Sequence, residues 1–99
     1  MFFELMVGLH VTDDAKYSQY RTGIAPLLKE AGGELRYDFG VARTLKNEAD
    51  HEINRVFLLR FPDRAAKERF FADPRYREIR GRLFPQAVGG LTIIAECSG

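Results

Sequence analysis

A single cysteine, Cys97, leaves the chain unable to close an internal disulfide and fits a reducing compartment. Its thiol reads as a small apolar residue near the end of the last strand, because neighbouring Glu96 does not supply the basic setting of a reactive thiol. No stretch approaches the ~20 apolar residues of a membrane span. The opening Met1-Phe2-Phe3-Glu4 has no basic residue ahead of its apolar run, so no secretory signal is expected and the cytoplasm is the expected location. An excess of one charge is also missing. Lys+Arg number 15 against 14 Asp+Glu, a net +1, which gives no field to draw nucleic acid or an anionic membrane. There is no glycine-rich phosphate loop, nucleophile elbow, paired-cysteine zinc motif or His-Glu metal motif. No cofactor and no metal are therefore expected.

What is present is a patterned globular chain. Its 99 residues are 45% hydrophobic. That length buries roughly 65% of the unfolded surface, enough for a single domain spanning 1–99 with one core. Phe3, Leu5, Val7, Leu9 and Val11 alternate with Phe2, Glu4, Met6, Gly8 and His10, so residues 2–11 form a strand. Thr12 or Asp13 caps a helix that runs to about Ala31 on a stripe of Tyr17, Tyr20, Ile24, Leu27 and Leu28. Pro26 should kink it, and Gly32-Gly33 should stop it. A strand over 34–42, a polar loop over 43–52 and a strand over 53–61 follow. Asp63 and Asp73-Pro74 open successive helical segments, Pro85 is the expected stop, and a last strand spans about 91–97. The order β-α-β-β-α-β, with short right-handed links, closes as a ferredoxin-like α+β fold with antiparallel sheet order 4-1-3-2.

Val11-Thr12-Asp13, Tyr17, Tyr20, Pro26 and Gly32-Gly33 resemble the first half of the family catalogued as domain of unknown function 1330. Arg55-Val56, Phe61-Pro62, Phe70 and Pro74-Arg75-Tyr76 resemble its second half. Two positions depart from the family's usual charges: Asp38 stands where an arginine is frequent, and Arg60 where an acid is frequent. The resemblance implies a dimeric α/β barrel, in which two such sheets face each other. It implies no activity, because the family has none established. The sequence supports the dimer independently. The sheet face away from the helices would expose Phe2, Met6, Val56, Leu58 and Ile94, and an apolar patch of that size marks an interface.

By parity, Glu4, His10, Arg36, Asp38, Asn54, Arg60 and Glu96 share that inner barrel face. If Met6 opposes Leu58, then Glu4 meets Arg60 and His10 meets Asn54. The charged end reads as rim ion pairs or as a ligand anchor. The loop residues Glu48, Asp50, His51 and Glu52 read as a solvated acidic loop, not a metal site. Three functions remain open. The first is a homodimer that binds a small apolar or aromatic molecule against Met6, Val56 and Leu58, oriented by His10, Asn54 and Arg36. The second is a cofactor-free isomerase, cyclase or monooxygenase-type enzyme with His10 or Asp38 as general base. The third is a barrel filled by its own side chains, with a structural role only.

Overall fold

The computed structural model describes residues 1–99. In chain order it contains β1 (Phe3–Val11), α1 (Asp14–Glu30), β2 (Glu34–Gly40), β3 (Arg55–Phe61), α2 (Arg64–Ala72), α3 (Pro74–Ala87) and β4 (Val88–Ser98). The four antiparallel strands lie in the order β2-β3-β1-β4. This is the expected ferredoxin-like arrangement, with the second crossover helix split at Asp73. That aspartate ends α2 and caps α3 by accepting from Arg75 N (2.9 Å). Asp13 and Asp63 cap α1 and α2 in the same way, accepting from Lys16 N and Ala66 N.

Both helix-interior prolines are tolerated. α1 continues through Pro26, and α3 runs past Pro85 to Ala87 instead of stopping there. Each proline frees the carbonyl four residues earlier, on Thr22 and Gly81. Both of those residues are exposed, so water can satisfy the carbonyl. Gly32 ends α1 with φ 76°, the left-handed turn that residues with a Cβ avoid.

The β1 alternation orders the core. Phe3, Leu5, Val7, Leu9 and Val11 are buried together with Tyr17, Tyr20 and Ile24 of α1 and Phe70, Tyr76 and Leu83 of α2 and α3. Leu27 and Leu28 pack at its margin. Between β1 and β3 the assumed register holds, with Met6 opposite Leu58 and Glu4 opposite Arg60.

Three register shifts alter the outer strands, one of them at Gly89, where the pairing passes from His10–Gly90 to Val11–Val88. In β2 the pairing jumps from Leu35–Leu59 to Tyr37–Leu58, which leaves Arg36 as the extra residue. In β4 it jumps from Val7–Ile93 to Met6–Ala95, which leaves Ile94 extra. Beyond each bulge every side chain changes face. Tyr37 and Phe39 therefore join Val56 and Leu58 on the face away from the helices. Asp38 passes to the helix side, opposite Phe57, and Glu96 passes there opposite Leu5. The expected placement of Asp38 and Glu96 on the outer face is thus corrected.

Candidate functional site

A cavity lies between the sheet and the helices, not on the outer sheet face. Its volume is about 640 Å³, and 16 of its 23 lining residues are hydrophobic. That volume is in the range of small-molecule sites. Leu5, Val7 and Leu59 form its floor, and Tyr20, Ile24 and Tyr76 line its helical wall. Leu35 of β2 and Leu91 and Ile93 of β4 border it and stay exposed, because the helices do not cover the edge strands.

A polar cluster built by three elements stands at one side. The alternation of β3 turns Arg55 toward the helices, the β2 bulge brings in Asp38, and α1 supplies Tyr17 and, one turn later, Arg21. Arg55 donates twice to the Asp38 carboxylate, Nε to Oδ1 and Nη2 to Oδ2, both at 2.8 Å. Arg21 Nη2 donates to the same Oδ2 at 3.1 Å, and its Nη1 donates to Tyr17 Oη at 2.9 Å. The hydrogen bond from Arg55 holds the Asp38 carboxyl below its usual range, against the opposing effect of burial; Arg21 adds to the lowering. Burial pushes the Tyr17 phenol up, so it stays protonated at neutral pH. Both guanidiniums lie over the Tyr17 ring, Arg55 at 5.0 Å and Arg21 at 5.5 Å from its centroid. Across the cavity wall the hydroxyls of Tyr20 and Tyr76 are 3.0 Å apart, and Arg80 Nη1 reaches Tyr76 Oη at 3.4 Å.

The residues singled out from the sequence fall in four places. Met6, Val56 and Leu58 line a separate hollow of about 220 Å³ on the outer face, together with Tyr37, Phe39 and Phe57 and with no polar lining. Arg36 lies on that same side, where it and Arg60 both donate to Glu4 Oε2, at 3.1 and 2.9 Å. Asn54 is engaged by backbone: its Oδ1 accepts from Val11 N and its Nδ2 donates to Val11 O, both at 2.8 Å. Those bonds prolong the β1–β3 ladder and turn the amide away from a ligand role. His10 borders neither cavity. Its Nε2 is 3.4 Å from Glu52, and its ring stands beside Gly89. His10, Asn54 and Asp38 therefore do not converge. Asp38, with both oxygens held by guanidiniums, is poorly disposed to take a proton. No three His, Cys, Asp or Glu side chains are grouped to hold a metal ion.

Sequence reasoning placed Tyr17 and Tyr20 in the core stripe and missed the cluster around Tyr17. One signal was available. Arg21 follows Tyr17 by four residues, one helical turn, and so emerges beside its hydroxyl.

The chain resembles proteins of this architecture. The family model described as domain of unknown function (DUF1330) matches residues 5–97. No curated protein matches. Among solved structures, a protein of unknown function from Rhodopseudomonas palustris superposes with a TM-score of 0.81 at 19% identity, over 99% of this chain and 82% of that one. A dimeric ferredoxin-like protein of unknown function from Jannaschia sp. gives 0.62 at 16% identity, with 100% of both chains covered. The hydroxynitrile lyase from Passiflora edulis gives 0.70 at 16% identity, over 97% of this chain and 91% of that one. At these identities the likeness concerns the fold.

Proposed function

We propose that this chain, which belongs to the DUF1330 family, is a small-molecule-binding protein that holds an apolar or aromatic organic ligand between its sheet and its helices. The observation that carries this reading is the cavity of about 640 Å³ with its predominantly hydrophobic lining. It supplants the outer sheet face as the ligand site, since the hollow there is about a third of the size.

The outer face suits a second copy of the chain. Met6, Val56, Leu58, Ile94, Tyr37 and Phe39 share it, the last two stacked at 5.8 Å and 51% and 55% exposed. A contiguous apolar surface of this kind calls for cover, and an identical sheet supplies it. The dimeric Jannaschia protein, with the same fold, is consistent with that cover. No helix is long and apolar enough to cross a membrane. A cytoplasmic setting agrees with the free, exposed Cys97.

Two measurements test the reading. Native mass spectrometry of freshly purified protein should give twice the chain mass, with any retained ligand as added mass. The neutral dye Nile red should bind saturably, one per chain, with a blue-shifted emission. Absence of saturable dye binding sinks the cavity reading. The enzyme alternative, with His10 or Asp38 as base, predicts turnover that disappears in Asp38→Asn or His10→Ala. The guanidinium grip on Asp38 and the distance of His10 from the cavity favour binding over that alternative.

A further inference from the structure

The polar groups of the cavity are nearly all donors. Tyr17 Oη accepts from Arg21, and its own hydrogen has no acceptor in the protein. Tyr20 and Tyr76 share one hydrogen bond, and Arg80 donates to the Tyr76 oxygen. Whichever phenol donates in that pair, the other keeps a hydrogen with no protein acceptor. All three tyrosines are buried and line the cavity. Their rotors can turn an O–H toward whatever occupies it, and an apolar occupant would leave those donors unanswered at a cost.

The charges have the same bias. Four cations line the cavity, Arg21, Lys29, Lys67 and Arg80, against a single carboxylate, Glu96, on the edge strand. Arg21 shares the single Asp38 carboxylate with Arg55. Lys29, Lys67 and Arg80 pair with no carboxylate anywhere in the chain. Unpaired cations and free phenolic donors around an apolar space call for an occupant that brings acceptors and negative charge.

We propose that the natural ligand is an apolar molecule bearing a carboxylate, its hydrocarbon or aromatic body on the sheet and its anionic oxygens toward the phenols and the lysine and arginine side chains. This rests on the cavity reading above and adds the ligand's chemical class. Neutral hydrocarbons leave the donors unsatisfied, and amines add like charge to three free cations.

A matched series decides it. Decanoate, decanol and decylamine are competed against bound Nile red at pH 7.5 and low salt, each below its aggregation concentration. Decanoate should displace the dye at least ten-fold more effectively than decanol, with decylamine weakest, and added salt should narrow the gap between acid and alcohol. The double variant Lys29→Gln/Lys67→Gln, at an exposed and a half-buried position, should bring decanoate down toward decanol and leave decanol unchanged. Tyr17→Phe should weaken decanoate with the dye still bound. Nile red binding with no preference for the acid, or a preference for the amine, overturns the carboxylate assignment alone. Failure of Nile red itself to bind overturns the cavity reading and this assignment together.

Discussion

Replacing Asp38 with asparagine should destabilise the fold measurably, because two guanidiniums depend on that one carboxylate. Its side chain is 23% exposed and accepts three hydrogen bonds, two from Arg55 and one from Arg21. Removing one partner of a fully buried pair costs about 3–5 kcal/mol. Here the partners are half-buried and water can reach them, and asparagine keeps one acceptor, so about 2 kcal/mol is the expected loss. At about 4–8 °C per kcal/mol for a domain of this size, Tm should fall by about 8–16 °C. The pH dependence gives a second check. Arg55 and Arg21 hold the folded carboxyl below its ordinary range, so its contribution is complete above about pH 5 and fades as pH falls through the folded value. Urea unfolding followed by circular dichroism at pH 7, 5, 4 and 3 should show a constant gap between native chain and variant down to pH 5, then a shrinking one. A loss below about 0.5 kcal/mol at pH 7, in the range of ordinary surface changes, would refute the account. So would a gap that widens toward acid. An Arg55→Gln background supplies the control: the Asp38→Asn effect should be smaller there, since most of the partnership is already gone.

Phe61→Ala removes a fully buried ring packed on Phe70 and Phe71 and should cost about 3–5 kcal/mol in urea unfolding; a loss under 1 kcal/mol would show that the site collapses around the gap. Gly32→Ala puts a Cβ at φ 76° and 2.9 Å from Pro62 Cγ, so a loss of about 1–2 kcal/mol is expected, and a neutral result would mean that α1 can end on another turn. Leu58→Glu places a charge in the middle of the outer apolar face; light scattering should report about twice the 11.3 kDa chain mass for the native protein and a single chain for the variant, and a variant that stays dimeric would locate the contact elsewhere.

The elements were legible because each carries its own local cause. Period-two alternation with one wholly apolar face sufficed for β1, whereas its register against β3, Met6 opposite Leu58 and Glu4 opposite Arg60, was an assumption that the structure matches. Aspartates at 13, 63 and 73 act as caps in the structure as their positions suggested. The Pro85 stop was misjudged because proline's penalty depends on what happens to the carbonyl it frees, and an exposed Gly81 makes that penalty small. Asn54 was expected to face His10. An asparagine amide can equally replace a missing backbone pair, and Val11 offers both its N–H and its C=O.

The site was less legible than the fold, and the reason is specific. Leu35, Tyr37 and Phe39 form an uninterrupted alternation, so nothing in β2 marks Arg36 as an inserted residue. A bulge is invisible when both faces of a strand accept apolar side chains, because the pattern reads the same before and after the slip. Yet that slip decides the chemistry. Without it Asp38 would join Glu4, Arg36 and Arg60 on the outer face, and Tyr37 and Phe39 would crowd the space beneath α1. With it, the carboxylate reaches Arg55 and Arg21, Arg21 is left pointing a second nitrogen at Tyr17, and two aromatic rings are delivered to the surface where a second sheet can cover them. The bulge at Ile94 acts on the opposite edge. It carries Glu96 to the helix side, where it is the only acid among the cavity's lining residues, and leaves Ala95 and Cys97 on the outer face. The inserted residues Arg36 and Ile94 thus separate an apolar surface for association from a donor-lined cavity, although the two faces share a nearly continuous hydrophobic pattern in the sequence.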